Sequence, residues 1–319
     1  MTGVLAHGAE ELLIALATPA PRGHLGVPVL LWGEPGAGKT SFVESLARAD
    51  FPVTTLIASI HDPTDFSGLP LHVEGRTRFA PPEWSYGFDE ARGGVLFLDE
   101  LTTAPPSVQA ALLRVVLERR VGSRAMPDQV RIVGAANPPN NLAGGWELSP
   151  PLANRFVHLD WQLSGIDFAQ SLETGFARPE LPAIDPAVHR DQVGYWRMLA
   201  QAFLRTSPSM AYTKPGDGEY AFASPRTWDF AIHLMATCDL LGKAYHPGQE
   251  ASPSTSEDGA NEPGKFRDAY GPFLTLIRGA VGSGATRALL GFLRGLNIPD
   301  PLAVLEGKGE VTIGAAVNA

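Results

Sequence analysis

Short apolar runs recur through the first half of the chain and alternate with segments whose apolar residues have the spacing of one helix face. The runs are rich in Val, Leu and Ile, which is typical of parallel strands buried on both faces. They predict strands at Val27–Trp32, Val53–Ile60, Val95–Asp99, Val130–Ala135 and Phe156–Asp160. The helical spacing predicts helices at 4–17, Thr40–Ala49 and Ser107–Arg120. This alternation indicates an α/β domain of three αβα layers around a parallel five-stranded sheet.

Two predicted hairpins interrupt this alternation, and it stops near residue 163. The hairpins are expected at 69–80, with a turn at Glu74–Gly75, and at 119–132. Residues 242–266 are polar and rich in Gly, Pro and Ser, which predicts a mobile loop. We therefore expect an α/β domain over residues 1–163 and a helical domain over residues 164–319. The helical patterns of the second part lie at Gln192–Leu204, Thr227–Leu241 and Ala285–Leu293.

Composition and charge restrict the binding partners and the cellular compartment that we expect for the protein. The 319 residues carry a net charge of −9, which does not favour non-specific binding to nucleic acid. No apolar run reaches the roughly 18 residues that span a membrane, and the first residues lack the basic leader of a signal peptide. The single cysteine, Cys238, excludes an internal disulfide and suits a reducing compartment. We therefore expect a cytoplasmic protein that makes no membrane contact.

A glycine-rich stretch joins the first predicted strand to the next predicted helix. It has the sequence GEPGAGKT and matches the pattern G-x-x-x-x-G-K-[ST]. In such a loop the glycines let backbone N–H groups turn toward phosphate oxygens, and the helix N-terminus adds further donors. The lysine brings a positive charge to the outer phosphates, and the threonine hydroxyl can ligate Mg²⁺. The residues expected to bind a nucleotide here are Gly33, Glu34, Pro35, Gly36, Ala37, Gly38, Lys39, Thr40 and Ser41.

An accidental glycine-rich turn is the alternative explanation of this stretch. With glycine at an ordinary frequency, such a match arises by chance in roughly one chain of this length in a hundred. The position between a strand and a helix makes chance a poorer explanation still. A dinucleotide site of the G-x-G-x-x-G type is excluded, because Ser41 stands where the last glycine must be.

Two further predicted strand ends carry polar side chains that suit nucleotide hydrolysis. The run VLFLDE ends in Asp99, which can hold Mg²⁺ through its water shell, and Glu100, which can polarise an attacking water. Asn137 follows another buried strand and can orient that water. Alone, each of these strand ends is also consistent with an ordinary surface turn. Beside the glycine-rich loop, they predict catalytic roles for Lys39, Glu100 and Asn137 and a metal site at Thr40 and Asp99.

The three motifs in this order resemble those of the AAA+ ATPases. Walker A would lie at 33–40, Walker B at 95–100 and sensor 1 at Asn137. LSPPLANRF, ending at residue 156, looks like the short helix that carries an arginine finger, here Arg155. ASPRTWDFAI, starting at residue 223, is similar to the sensor 2 motif, with Arg226 opening a lid helix.

Further matches narrow the resemblance, which extends over about residues 25–235. The two hairpins look like the insertions of the helix-2-insert clade, which includes dynein-related and MoxR-like ATPases. The stretch 105–122 is especially similar to the MoxR-like pattern after Walker B. The chain departs from many MoxR-like proteins at Thr102–Thr103, where they carry an asparagine–arginine pair. The implied fold is a P-loop NTPase core followed by a helical AAA+ lid.

The resemblance implies a ring, expected to be a hexamer, that binds ATP and Mg²⁺ between neighbouring subunits. Arg155 would complete the site of the next subunit, and Arg226 would contact the phosphates of its own subunit. Such ATPases commonly act with a partner that bears a von Willebrand factor A domain. The alternatives without a function in catalysis are a surface salt bridge for Arg155 and an ordinary position at the start of a helix for Arg226.

The sequence therefore predicts an ATP-hydrolysing ring that remodels or activates a partner protein, as a MoxR-like chaperone does. Two alternatives remain open at this point. One is an ATP-dependent assembly switch or scaffold in which hydrolysis is incidental. The other is a nucleic-acid translocase of the same superfamily, which the acidic balance of the chain does not favour.

Overall fold

The computed structural model describes residues 6–88, 90–91, 93–138, 145–174, 178–215, 219–245 and 265–296. At its centre lies a parallel five-stranded sheet. The strands are β1 (Val29–Trp32), β2 (Val53–Ile57), β5 (Gly94–Asp99), β8 (Val130–Ala136) and β9 (Val157–Asp160). Their order in the sheet is β2-β5-β8-β1-β9. Because all five run the same way, the segments that follow them meet at one edge of the sheet and those that precede them meet at the other.

All five predicted strands are present, with shorter bounds at some ends. The prediction of a strand to Ile60 was wrong beyond Ile57, because the neighbouring strand ends at Asp99, the residue that pairs with Ile57. Residues Ala58–Ile60 form a 3-10 turn instead. Alternate residues of the strands enter two different hydrophobic clusters, so both faces of the sheet are covered, as the near-continuous apolar runs required.

Helices cover both faces of the sheet and short elements join them. The bounds of those that precede β9 are α1 (Ala9–Ala17), α2 (Lys39–Glu44), α3 (Thr64–Ser67), α4 (Pro106–Glu118) and α5 (Pro150–Ala153). The predicted helix to Ala49 ends early, because the Ser45 hydroxyl turns back onto the carbonyl of Phe42 and Arg48 pairs with Phe51. The helix predicted to Arg120 also ends early, at Glu118, because Arg119 is left-handed with φ 53°.

Both predicted hairpins occur. The first consists of β3 (Leu69–Val73) and β4 (Arg76–Ala80), with its turn at Glu74–Gly75 as expected. The second is smaller than predicted, with only β6 (Arg120–Val121) and β7 (Arg124–Ala125). The prediction extended it to residue 132, but Val130 onward belongs to the central sheet as β8.

Beyond β9 the described chain is helical. The helices are α6 (Gly165–Thr174), α7 (Pro186–Thr206), α8 (Pro225–Leu240) and α9 (Lys265–Gly295), the last interrupted by non-helical backbone at Gly271 and Gly282. Residues of α7, α8 and α9 share one hydrophobic cluster with α1 and with one face of the sheet, and Cys238 is buried in it. Most of the loop predicted at 242–266 lies outside the described residues. In the described part of the chain, no helix combines the length and apolar character that crossing a membrane requires.

Candidate nucleotide site

The glycine-rich stretch forms a loop between β1 and α2, as its pattern predicted. Gly36 and Gly38 adopt φ values of 78° and 79°, in the left-handed region that glycine enters without strain. Gly33 is required for a different reason, because a Cβ atom built on it would lie 2.6 Å from the carbonyl oxygen of Trp161. We call residues 33–41 the phosphate loop. Within it Glu34, Pro35 and Ser41 are exposed, whereas Gly33 and Lys39 are buried.

Trp161 supports the phosphate loop, a role that no motif in the sequence predicted. Its side chain is fully buried, and its Nε1 donates a hydrogen bond to the Ala37 carbonyl oxygen, 3.0 Å away. The same ring packs against Phe42 of α2, with the ring centroids 4.9 Å apart. The loop and the start of the helix therefore rest on one rigid aromatic side chain.

Lys39 begins α2 and turns its ammonium group inward. Nζ lies 2.5 Å from the Gly33 carbonyl oxygen, 3.0 Å from that of Glu34 and 3.3 Å from Oδ1 of Asn137. Burial lowers the pKa of Lys39, and the charges of Asp99 and Glu34 oppose that shift. The amide of Asn137, which follows β8, therefore lies beside the loop lysine, as the sequence predicted for these two strand ends.

Thr40 and Asp99 form the contact that suits a magnesium ion. The Thr40 hydroxyl donates to Oδ2 of Asp99, 2.7 Å away, and Oδ1 of Asp99 accepts from the backbone N–H of Glu100 at 2.9 Å. Mg²⁺ usually keeps several waters and takes only one or two protein ligands together with substrate phosphates. A hydroxyl and a carboxylate at the mouth of the phosphate loop fit that requirement.

Glu100 lies at the end of β5 in an uncommon conformation. Its φ is 58°, left-handed for a residue with a side chain, and its carboxylate is exposed. The Ser59 hydroxyl donates to Oε2 of Glu100 at 3.0 Å, and the Thr103 hydroxyl donates to its carbonyl oxygen at 2.8 Å. Ser59 follows β2, the strand next to β5, so its contact with Glu100 depends on the strand order and was missed from the sequence.

Arg155 lies at the opposite edge of the sheet from the phosphate loop. It follows α5 and comes just before β9, whereas the loop follows β1, and the two strands are parallel neighbours. Its guanidinium donates to the Pro151 carbonyl oxygen, and its Nε is buried without a hydrogen-bond partner. Burial, followed by the charges of Arg226 and Arg22, lowers the pKa of Arg155.

Arg226 lies beside Arg155 in the structure, whereas the sequence led us to expect it at the phosphates of its own chain. Nη1 of Arg226 donates to Oδ1 of Asn154 at 3.2 Å, and both arginines line one surface concavity with Pro28. Pro28 precedes β1, so this concavity is at the amino ends of the strands. The physical cause is the path of residues 219–226. Tyr220 stacks on Trp32 at the end of β1, with the ring centroids 4.4 Å apart, and the chain then continues past Asn154, which hydrogen-bonds to Phe222 and Ser224.

Residues 28–156 match the family model described as AAA domain (dynein-related subfamily). This segment is an AAA domain. It contains the phosphate loop, Asp99, Glu100, Asn137 and Arg155, whereas Arg226 lies outside it. Strand β9 also lies outside the matched segment, although it completes the sheet of the AAA domain.

Proteins of different roles resemble the AAA domain. The chain is 39% identical over 136 residues to the Psp operon transcriptional activator of Escherichia coli (strain K12), covering 40% of the chain and 41% of that protein. It is 35% identical over 139 residues to chaperone MoxR1 of Mycobacterium tuberculosis, covering 40% of the chain and 33% of that protein. The chain thus spans less than half the length of these curated relatives.

One solved structure was matched over most of the chain. It is a protein of Cytophaga hutchinsonii ATCC 33406 described as a candidate ATPase, and the match covers 93% of the chain and 92% of that protein. The two are 17% identical, with a TM-score of 0.49.

Proposed function

We propose that the protein is a Mg²⁺-dependent ATPase whose sites are completed between subunits of a ring. The observation that carries the proposal is the convergence of three strand ends. Thr40 contacts Asp99 at 2.7 Å, and Lys39 contacts Asn137 at 3.3 Å. A positive charge, a hydroxyl–carboxylate pair and a neutral amide are the groups that phosphoryl transfer to water uses.

The residues of the phosphate loop would hold the phosphates of ATP through backbone N–H groups and Lys39. Thr40 and Asp99 would hold Mg²⁺, which neutralises phosphate charge when bound. Glu100, exposed beside Ser59, would accept the proton of the attacking water, and Asn137 would orient that water. Arg155 would reach the site of the next subunit, where its charge offsets the negative charge that develops on the outer phosphate.

The position of Arg226 changes one part of the sequence-based proposal. Since Arg226 lines the same concavity as Arg155, we propose that both arginines serve the neighbouring subunit. Lid and core would then move together at that interface, because Arg226 opens α8 of the helical part. We also propose a division of the chain near residue 163, since the central sheet ends at Asp160 and the described elements beyond it are helices.

The work done with ATP is proposed to be the remodelling or activation of a partner protein. The similarity to chaperone MoxR1 supports this role, and a partner with a von Willebrand factor A domain remains a proposal from the family resemblance. A hexamer and a cytoplasmic location are proposed on the same grounds. The similarity to a transcriptional activator and to a transcriptional regulatory protein leaves the kind of partner open within this proposal.

The deciding experiment is the ATPase rate per subunit as a function of protein concentration, with and without Mg²⁺. A specific activity that rises and then saturates is expected, because sites shared between subunits form only on association. A flat and non-zero activity would contradict the shared site. If ATP promotes assembly without turnover, the protein is an assembly switch; if activity rises only with DNA or RNA at low salt, it is a translocase.

A further inference from the structure

Arg22 lies in the loop between α1 and β1, which no motif singled out. Its Nη1 donates to the Leu117 carbonyl oxygen, 3.3 Å away, in the last turn of α4. Its side chain is exposed, and it lines the same concavity as Arg155 and Arg226. We call these three residues the arginine cluster. Three separate parts of the chain, before β1, before β9 and at the start of α8, supply its members.

The arginine cluster carries more positive charge than its surroundings neutralise. Asp229 is the carboxylate that lines the concavity with the three guanidinium groups. His24 also lines it, but burial and the charges of Arg119 and Arg22 lower the pKa of His24 to about 3, so the imidazole is neutral at physiological pH. The concavity therefore combines three positive charges with one negative charge, in a chain whose net charge is −9.

The cluster also retains hydrogen-bond donors that its protein contacts do not use. Each guanidinium has five N–H donors in a planar fork that matches phosphate oxygens. For Arg155 the contact is with Pro151 and its Nε has no partner, while the contacts of Arg22 and Arg226 are with Leu117 and Asn154. Donors and charge together suit an anion that carries several oxygens and about two negative charges.

We propose that Arg22 is the third cation of an anion site formed with Arg155 and Arg226, and that this site takes the phosphate groups of a nucleotide held by a second copy of the chain. The inference rests on the proposed function for the source of the phosphate. It goes further by assigning a binding residue outside the AAA domain and outside the lid. The alternative is a purely structural role, in which Arg22 caps the C-terminus of α4, where a cation is favoured in any case.

Phosphate binding tests the anion site without any need for ATPase activity. A Lys39→Ala chain, in which the phosphate loop lacks its charge, is titrated with inorganic phosphate and pyrophosphate while its melting temperature is followed. Adding Arg22→Gln should weaken the apparent affinity for these anions about tenfold, since charge-assisted hydrogen bonds are lost. Arg22→Lys should restore part of it, and Arg190→Gln, at an exposed position of α7, should change nothing. Equal affinity with and without Arg22 overturns the site.

Mixing tests whether the phosphate comes from a second copy. Arg22→Gln chains keep an intact phosphate loop, whereas Lys39→Ala chains keep an intact arginine cluster. If the cluster acts on the neighbouring copy, the mixture hydrolyses ATP several-fold faster than either variant alone, and Arg155→Gln behaves as Arg22→Gln does. If variants that assemble and have lost activity regain no ATPase activity on mixing, the action between copies is overturned. An unmodified chain without ATPase activity would contradict the proposed function, yet the phosphate titration would still decide on Arg22.

Discussion

Asn154 and Arg226 are joined by a hydrogen bond of 3.2 Å, which ties the residue before Arg155 to the first turn of α8. The same amide oxygen accepts from the Ser224 hydroxyl at 2.9 Å, and the amide nitrogen donates to the Phe222 carbonyl oxygen at 3.4 Å. Asn154 therefore positions Arg226 beside Arg155, and the two arginines should work as a unit.

Replacing Asn154 by Ala should lower the turnover number about tenfold or more while leaving the KM for ATP nearly unchanged. The reason is that a misplaced group costs rate even when it does not touch the substrate, and the phosphate loop lies at the other edge of the sheet. Steady-state ATPase kinetics on the assembled protein would measure both values. Asn154→Asp keeps an acceptor for Arg226 and should retain more of the rate; an alanine variant with full turnover would remove the positioning role.

Glu100→Gln should bind ATP and turn it over about 10² to 10⁴ times more slowly, which is the usual contribution of a general base. Binding of a fluorescent ATP analogue and phosphate release would separate the two effects. Near-normal turnover would show that another group takes the proton.

Ser59→Ala should reduce turnover only a few-fold, because the hydroxyl orients the Glu100 carboxylate and does not itself take a proton. The matched variant Ser59→Thr keeps a hydroxyl and should stay close to the unmodified protein. In the Glu100→Gln background, Ser59→Ala should have little further effect on phosphate release, since the carboxylate it orients is gone. Full additivity of the two changes would speak against this contact.

Gly33→Ala should lower the free energy of unfolding by about 1–3 kcal/mol, because the added methyl meets the Trp161 carbonyl at 2.6 Å and the backbone must shift. Gly194→Ala is the matched control, since it lies in the interior of α7 with nothing within 4 Å of the added methyl. It should stabilise the protein by about 0.5–1 kcal/mol. Urea unfolding curves of both variants would measure the difference, and equal stabilities would refute the close approach.

Stability should fall as the pH falls from about 6.5 toward 4. His158 accepts from Nε1 of Trp32 at 2.9 Å and contacts the Ala153 carbonyl with its other ring nitrogen at 3.0 Å, and burial lowers its pKa to about 4. The unfolded chain takes up the proton near pH 6.5 while the folded chain does not, so the free energy of unfolding drops by up to about 3 kcal/mol over this window. His158→Gln should flatten the dependence in urea titrations at a series of pH values; an unchanged slope would assign it to other groups, such as His24.

The sequence was sufficient to predict the central sheet and the part of the candidate site that lies at the carboxyl ends of its strands. Strands buried on both faces leave a clear apolar signal, and motifs that follow parallel strands must meet at one edge, so the proximity of Lys39, Asp99 and Asn137 could be predicted. The first hairpin was also predictable, because its turn residues and alternation are local.

Contacts that depend on how distant segments pack could not be predicted in the same way. Ser59 meets Glu100 only because β2 is the neighbour of β5, and Trp161 reaches Ala37 only because β9 is the neighbour of β1. The position of Arg226 depends on the path of the chain between α7 and α8, which carries no periodic pattern. Arg22 lies in the loop between α1 and β1, where the sequence predicts a turn but does not indicate which residues Arg22 contacts.

The placement of the phosphate loop and of Arg155 at opposite ends of parallel strands also restricts the symmetry of any assembly. In a head-to-tail contact the loop of one copy meets Arg155 of the next, and each copy uses two different surfaces. A two-fold dimer could bring the two groups together only if its copies lay antiparallel, with the loop and Arg155 of each copy in the same interface. Repeated head-to-tail contact either closes on itself, so that every copy has a complete site, or grows as an open filament in which one terminal copy lacks its neighbour.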